Sequence, residues 1–283
     1  MAIPLEDNVG DVVGKAQHGL RISDSELAAK CGLEPNQIAD LRAGKIDNEA
    51  LRKVAPALEL DAEALIELAA GKWKPDKLEN FDGLAWFSTD YSGMAVNAYL
   101  LWDPESKDAA AFDTGADCTE MLRRATRENL RIKLILLTHA HPDHVADLPR
   151  LREKTGAHVF APAREPVPGA EPIEEGKRFR LGNSDSRREQ GIDIETRLTW
   201  GHSPGGMTFV ATGLARPVAI VGDSLFAGSM GGGNVSYENA VRNNLEKILT
   251  LPDETIICPG HGPVTTVAEE KKHNPFFAGK AGK

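Results

Sequence analysis

Three histidines and one aspartate fall within six consecutive residues of the chain. Residues 134–148 have the sequence LILLTHAHPDHVADL, in which His139, His141, Asp143 and His144 follow an apolar run. A neutral imidazole nitrogen is a good ligand for a transition-metal ion, and a carboxylate adds an anionic oxygen for a divalent ion. Because the whole chain has only 8 histidines, three of them in one hexapeptide predict a metal site rather than a chance surface cluster.

The spacing within this hexapeptide suggests that its ligands serve two positions. Side chains two residues apart on an extended backbone share a face, so His139 and His141 can bind one ion. Pro142 turns the chain, and Asp143 and His144 can then face a second position. A structural zinc site would favour several cysteines in a closed shell, and no cysteine lies near this stretch.

The hexapeptide resembles the HxHxDH motif of the metallo-β-lactamase superfamily, which needs three further ligands at strand ends downstream. His202 follows ETRLTW, Asp223 ends the apolar run AIVGD, and His261 follows IICPG. Taken singly, these three residues have other interpretations, as a loop histidine, a cap and a turn residue. Their order and their strand-end contexts together favour the family, and the resemblance covers about residues 84–277.

The resemblance implies two metal positions that share one bridging carboxylate. His139, His141 and His202 would hold the first ion, Asp143, His144 and His261 the second, and Asp223 both. Zinc is the expected metal, with iron or manganese as alternatives, because sites made of His and Asp accept all three.

The resemblance also implies which residues carry the chemistry. Two ions that share a water lower its pKa, so a bridging hydroxide would be the nucleophile between the catalytic carboxylates Asp143 and Asp223. Asp143 would orient that hydroxide or move its proton. Asp113 in FDTGAD would orient a ligating histidine, and we expect Cys258 to be a small buried strand residue rather than a ligand.

Two stretches resemble the short glyoxalase II-like branch of this family: GDSLFAGSMG at 222–231 and HNPFF at 273–277. They imply a hydrolase of acyl thioesters, with a glutathione thioester as the default substrate. Full-length glyoxalase II adds a C-terminal helical domain that holds glutathione, whereas this chain stops soon after Phe277. The arginine usual in the branch is also absent, since glycines follow Met230. Both departures argue against the usual recognition of glutathione. The alternatives are β-lactamase activity at the same site, a persulfide dioxygenase with a single iron, and a metabolite-sensing DNA-binding regulator.

Short apolar runs alternate with helical stretches from about residue 84 onward. Runs typical of buried strands are NAYLLW, DAAAFD, KLILLTH, AHVFAP, PVAIVGD and ETIICPG, and helical stretches are CTEMLRRATRENL, VADLPRLREKTG and YENAVRNNLEKILTL. This alternation predicts an α/β layered domain. With the family resemblance, the expected fold is a metallo-β-lactamase αββα sandwich over residues 84–283.

Residues 1–75 have a different pattern and predict a small all-α domain, joined by a linker at 76–83. Ser23 and Glu26 form a capping-box pattern, and helical patterns also cover 48–58 and 61–70. Residues 23–45 resemble a phage-repressor-type helix-turn-helix, in which the second helix enters the major groove of DNA. That helix would carry Asn36, Gln37, Asp40 and Arg42.

The charge of this part argues against DNA as its partner. Residues 1–75 hold 9 Lys and Arg against 13 Asp and Glu, whereas a DNA-binding domain usually has a basic face. We expect helices that dock or that mediate a homo-oligomer.

The composition of the whole chain points to a soluble enzyme of the cytoplasm that acts on a small molecule. The 283 residues carry a net charge of −9, which gives no support for nucleic-acid binding. The start of the chain lacks a signal-peptide pattern, and no apolar run approaches the roughly 18 residues of a membrane span. Three separated cysteines fit a reducing compartment.

Two loop features leave alternatives open. Arg187 and Arg188 lie in a stretch rich in proline and charge, and they either meet an anionic substrate or, as we expect, are solvated charges. The GGGN sequence at 231–234 either lets a loop close over the site or forms a simple turn.

Overall fold

Two six-stranded sheets carry the site in the computed structural model, which describes residues 3–78, 82–182 and 191–280. The first sheet has the spatial order β1 to β6: Leu84–Tyr91, Met94–Trp102, Asp108–Phe112, Arg131–Leu136, His158–Pro162 and Glu171–Ile173. The second has the order β12 to β7, where β7 to β12 are Arg178–Leu181, Ile192–Leu198, Met207–Thr212, Val218–Gly222, Ile256–Pro259 and Thr265–Thr266. Parallel pairs join β3 to β6 and β10 to β11.

Helices flank both sheets. The N-terminal helices α1 to α5 are Val9–Gly19, Asp24–Cys31, Pro35–Arg42, Asn48–Ala57 and Ala62–Ala69. The helices α6 to α10 are Thr119–Arg127, Pro142–Val145, Leu148–Thr155, Tyr237–Asn243 and Val267–His273, and a π-helical turn at Asn244–Ile248 continues α9.

The strands alternate their side chains between an inter-sheet core and two outer layers, as a sandwich requires. Phe112 and Phe209 meet between the sheets with ring centroids 5.4 Å apart. Met121 of α6 and Leu151 of α8 pack against the outer face of the first sheet. The predicted αββα sandwich is therefore confirmed.

The predicted N-terminal helices are present and pack on the outer face of the second sheet. Val12 and Leu65 from these helices share one buried cluster with Val221 of β10. Ser23 caps α2 in a capping box with Glu26. The division of the chain at residues 75 and 84 and the comparison with DNA-binding repressors stay predictions.

Further contacts tie the N-terminal helices to the rest of the chain. The Trp73 ring stacks on His273 at 5.1 Å between centroids. At the end of α1, the ring of Tyr237 lies so close to Gly19 that a Cβ there would be 2.2 Å from it. The Lys15 ammonium donates to the Met230 carbonyl at 2.9 Å.

The helix predicted at 145–156 is interrupted. α7 ends at Val145, and α8 begins only at Leu148 with Pro149 in its first turn. Proline has no N–H to continue a helix from the preceding turn but fits well in a first turn. Asp143 and His144 therefore lie on a separate four-residue helix that starts at Pro142. In the part of the chain that is described, no helix is long and apolar enough to cross a membrane.

Candidate metal centre

Loops that follow four strand ends meet at one edge of the sandwich and bring all seven predicted ligands together. They form two groups, and within each group the possible ligand atoms lie within 4.8 Å of one another. The first group is His139, His141, His202 and Asp223, and the second is Asp143, His144 and His261. Six of the seven come from three loops, which follow β4, β8 and β11, and Asp223 directly follows β10.

The first group converges through three imidazole nitrogens. His141 Nδ1 lies 3.0 Å from His139 Nε2 and 3.2 Å from His202 Nε2. Asp223 Oδ2 lies 3.3 Å from His202 Nε2 and 3.8 Å from His139 Nε2. Ligands at the usual zinc–nitrogen distance in a tetrahedron are about 3.3 Å apart, so this spacing fits one ion.

The second group is connected to the first through Asp223. His261 Nε2 lies 3.3 Å from Asp143 Oδ2 and 3.4 Å from Asp223 Oδ2. His144 Nε2 lies 3.5 Å from Asp143 Oδ2 and 3.3 Å from Asp223 Oδ1. The Asp223 carboxylate thus contacts members of both groups, which is the arrangement of a bridging ligand.

Two buried atoms support the fit to metal ions. Among the described residues, neither His144 Nε2 nor Asp223 Oδ1 has a hydrogen-bond partner, although buried polar atoms normally have one. Gly260 leaves room for them, since a Cβ there would lie 2.1 Å from Asp223 Oδ1. Two buried polar atoms that face a confined space without a hydrogen-bond partner are typical of a cation site.

Side chains just after the ends of β3 and β4 orient two of the histidines. Asp113 Oδ2 lies 2.8 Å from His144 Nδ1, and Thr138 Oγ1 lies 3.0 Å from His139 Nδ1. Thr138 also donates its N–H and its hydroxyl to Asp113, both at 2.8 Å. Asp113 adopts a left-handed backbone with φ 55°, a conformation that is rare for residues other than glycine and often found at functional sites. Asp113 therefore contacts one of the predicted ligands, His144, as expected from the sequence.

Backbone carbonyls orient two more histidines. The Gly232 carbonyl lies 3.0 Å from His202 Nδ1, and the Ala95 carbonyl lies 2.6 Å from His261 Nδ1. A carbonyl accepts only, so each Nδ1 carries a proton and each Nε2 faces the site as the atom that can bind a metal ion.

Burial and neighbouring charges shift the pKa values of the histidines in opposite directions and so give them different protonation states. Burial lowers the pKa of His139 and His202, so these two are neutral and ready to bind a metal ion. Burial also lowers the pKa of His144, but Asp223 and Asp113 outweigh it and raise that pKa to about 10. Burial is likewise outweighed at His261, whose pKa Asp143 and Asp223 raise to about 11. A divalent ion in the second position must displace these two protons.

The N-terminal segment adjoins the site at the His261 loop. Gly262, with φ 75°, packs so closely on Glu6 that a Cβ there would lie 3.2 Å from the Glu6 nitrogen. Asp7 accepts from Ser229 Oγ at 2.5 Å and pairs with Lys15. The loop after Asp223 is therefore hydrogen-bonded to the N-terminal part of the chain.

The remaining predicted features have structural roles. Cys258 is fully buried between the sheets, as predicted. The glycines at 231–233 lie in a closely packed segment, because a Cβ at Gly231 would lie 1.9 Å from the Asp223 carbonyl oxygen. In the HNPFF stretch, Asn274 Nδ2 donates to the Ser229 carbonyl at 2.7 Å, so this stretch braces the loop after Asp223. Arg187 and Arg188 lie outside the described residues.

The comparisons with known proteins agree with this geometry. The model of the metallo-beta-lactamase superfamily matches residues 91–261. The hydroxyacylglutathione hydrolase GloC of Haemophilus influenzae is 32% identical over 202 residues, which cover 65% of this chain and 94% of that protein. About a third of this chain thus has no counterpart in GloC, and α1 to α5 all precede the range of the family model.

Two solved structures resemble the same part of the chain. The B3 metallo-beta-lactamase BLEG-1 is 29% identical with a TM-score of 0.57, and the match covers 69% of this chain and all of that one (100%). ETHE1 from Myxococcus xanthus is 25% identical with a TM-score of 0.58, over 69% of this chain and 85% of that one. Because the family model spans more than half of the chain and the fold and ligand order agree with it, the chain belongs to the metallo-beta-lactamase superfamily.

Proposed function

We propose that the protein is a metal-dependent hydrolase with two divalent ions, and that it hydrolyses acyl thioesters. The observation that carries this proposal is the position of Asp223, whose Oδ2 lies 3.3 Å from His202 Nε2 of the first group and 3.4 Å from His261 Nε2 of the second. One bridging carboxylate between two sets of histidines suits a pair of ions. When bound, such ions would polarise the thioester carbonyl and lower the pKa of a water that they share.

The side chains of the site hold the ions and handle the proton. We assign the first ion to His139, His141 and His202, the second to Asp143, His144 and His261, and both to Asp223. Burial raises the pKa of Asp143, but its hydrogen bond with His261 outweighs burial and lowers it, so the carboxylate is ionised at neutral pH. Asp143 can therefore accept a proton at Oδ2 during the reaction. The buried Phe226 ring, 5.6 Å from His261 between centroids, excludes water on that side.

Three observations favour a thioester over other substrates. GloC, which is named as a hydroxyacylglutathione hydrolase, matches nearly its whole length to this chain. The stretch GDSLFAGS, residues 222–229, contains Asp223 and lies against the second group through Phe226. A thiolate also leaves without first being protonated, so a thioester demands less of the site than an amide does. No lysine or tyrosine within the described ranges has a hydrogen bond or ion pair with the seven candidate ligands.

Two rival functions could use the same candidate ligands. The match to BLEG-1 makes β-lactamase activity the first alternative. The second is a persulfide dioxygenase with a single iron, which would use two histidines and one carboxylate such as Asp223. Zinc is our first choice of metal, with iron and manganese as alternatives.

Metal counting and a substrate panel on one purified sample test the proposal. The panel contains a glutathione thioester, a cephalosporin, a lactone and a glutathione persulfide, and the control is His202→Ala. We expect about two ions per chain and turnover of the thioester that the control loses, because removal of one ligand opens the first position. One iron per chain with consumption of the persulfide, or a cephalosporin as the best substrate, would replace the thioesterase proposal.

We propose that the N-terminal helices serve as a docked part of the enzyme rather than as a DNA reader. On α3 the two charged side chains of the predicted reading face are already paired, Asp40 with Lys45 at 2.7 Å and Arg42 with Asp24 at 3.2 Å. Electrophoretic titration of DNA at low salt checks this, since a shift at micromolar protein would contradict it. A cytoplasmic location and a homo-oligomer formed through these helices remain predictions.

A further inference from the structure

Glu165 is a buried carboxylate outside the seven candidate ligands. It lies in the turn after β5, where its N–H donates to the Pro162 carbonyl at 2.8 Å, and its side chain is 9% exposed. Within the described part of the chain no cation lies within ion-pair distance of it. Its neighbour Arg164 is directed instead over the Trp200 ring.

Three hydrogen bonds account for this buried charge. Oε2 accepts from the Ala140 N–H at 2.9 Å. Oε1 accepts from Ser203 Oγ and from the Gly205 N–H, both at 2.6 Å. Hydrogen bonds to a charged acceptor are stronger than neutral ones, and a donor left unpaired inside the protein is costly.

The three donors belong to the two loops that carry the histidines of the first group. Ala140 lies between His139 and His141, and Ser203 directly follows His202. One carboxylate therefore links the loop after β4 to the loop after β8, close to the point where their nitrogens converge. Gly205 allows this approach, since a Cβ there would lie 3.1 Å from Glu165 Oε1.

The second group has a different support. Asp113 Oδ2 lies 2.8 Å from His144 Nδ1. Among the described residues, Glu165 makes no hydrogen bond to Asp143, His144 or His261, and it contacts the loop after β4 only at Ala140, between His139 and His141. Asp113 therefore contacts a histidine of the second group directly, whereas Glu165 contacts the two loops only beside histidines of the first group.

We infer that Glu165 is a positioning residue that sets the separation of His202 from His139 and His141, and so the metal affinity of the first group. It touches none of the ligand atoms and acts only through the two loops. The inference rests on the metal centre of the proposed function but requires no substrate. Removal of a group that orients metal ligands typically costs 10–100-fold in affinity.

Glu165→Gln is the informative variant. The amide keeps the size of the side chain but replaces one accepting oxygen with an NH₂ group. Either Ala140, or the pair of Ser203 and Gly205, then faces a donor instead of an acceptor. Glu153→Gln, the same change at an exposed position on α8, is the matched control.

Cobalt binding to the full chain, followed by visible absorption and chelator competition, tests the inference in two backgrounds. His261→Ala leaves the first group complete, and His202→Ala leaves the second group complete. We expect Glu165→Gln to weaken cobalt binding about 10–100-fold in the first background and less than about threefold in the second. Glu153→Gln is expected to change neither, and thermal unfolding of the metal-free chains checks that all variants fold.

Equal weakening in both backgrounds would overturn the inference, because Glu165 would then only stabilise the fold. Unchanged binding in the His261→Ala background would overturn it as well, and so would a failure of His261→Ala itself to bind cobalt. A protein that binds both ions but hydrolyses no thioester would refute the proposed function and leave the role of Glu165 standing.

Discussion

Gly260 shows how a single missing side chain shapes the centre. A Cβ at this position would lie 2.1 Å from Asp223 Oδ1 and 2.7 Å from His144 Cε1. Contacts of this length are not possible, so the bridging carboxylate can take its place only beside a glycine. We predict that Gly260→Ala displaces Asp223, lowers the ion count below two and reduces activity at least about tenfold.

Metal analysis and circular dichroism check this prediction. The matched control is Gly14→Ala in α1, where a Cβ would meet nothing within 4 Å. The control should keep both ions and gain about 0.5–1 kcal/mol in unfolding free energy, since alanine suits a helix better than glycine. A Gly260→Ala protein with two ions and full activity would show that Asp223 does not need this space.

Residue types determine which parts of the centre can be predicted from sequence. The candidate ligands, such as His139 and His141, are of rare residue types at characteristic spacings, so the sequence indicates them directly. The carbonyls of Ala95 and Gly232 give no such signal, because every residue has a carbonyl. Glu165 is one of 42 acidic residues in a loop of ordinary polarity, and only the folded chain shows which two loops it joins.

Glu270 couples three elements at the scale of secondary structure. From α10 its carboxylate accepts from the Gly228 N–H at 3.0 Å, from Asn274 Nδ2 at 2.7 Å and from Thr265 Oγ1 at 2.8 Å. Burial raises its pKa from 4.5 to about 8, although these hydrogen bonds act in the opposite direction. The folded chain therefore holds a proton that the unfolded chain releases between these two pH values.

The pH dependence of stability follows from this difference. The contribution of Glu270 to the free energy of unfolding is complete below pH 4.5 and is lost as the pH rises to about 8. Glu270→Gln cannot titrate, and its amide can still accept from Gly228 and donate to Thr265 Oγ1. We predict that the free energy of unfolding of the variant rises relative to that of the original chain between pH 5 and pH 8. One unit of difference between the folded and unfolded pKa values of Glu270 corresponds to about 1.4 kcal/mol.

Urea unfolding at several pH values measures this gain. Parallel stability profiles of the two proteins would mean that Glu270 titrates alike in the folded and unfolded chains. Glu153→Gln, the same change at an exposed position on α8, provides the comparison for a general effect of lost charge.

The order and type of most elements in the sandwich were predictable because buried strands leave continuous apolar runs such as KLILLTH. The break between α7 and α8 was not, since VADLPRLREKTG has helical periodicity throughout. Pro149 is compatible with one continuous helix or with a new helix that starts at Leu148. Only the requirement that Asp143 and His144 face the other ligands decides for the break. The π-helical turn at Asn244–Ile248 also lacks a pattern of its own, and there Asn244 Nδ2 donates to both Ser224 and Ala240 carbonyls.

At the scale of the whole molecule, the N-terminal helices and the second sheet form one buried cluster. Val12, Leu51 and Leu65 lie in it together with Val221 and Leu225. The sequence predicts the helices and their apolar faces, but it does not show that those faces pack on the sheet rather than on a second copy. A shared core predicts that both parts unfold in one transition.

Gly19→Ala tests this shared core. The new methyl would lie 2.2 Å from the Tyr237 ring across the contact, and forcing an extra carbon into a packed contact costs about 1–3 kcal/mol. We predict a lower midpoint of thermal unfolding but still one transition by both tryptophan fluorescence and circular dichroism. Gly14→Ala on the same helix is again the control, and two separate transitions would contradict the shared core.

The contact of Glu6 with Gly262 has a practical consequence for anyone who purifies the protein. Histidines appended ahead of residue 1 would begin six residues from Glu6, which is at most about 21 Å of fully extended chain. Such a tag offers the same imidazole ligands as the centre itself, and Gly262 is the direct neighbour of His261. A histidine tag at this end would compete for the ions or supply extra ones. Metal content and activity should therefore be measured on protein whose tag has been removed or contains no histidine.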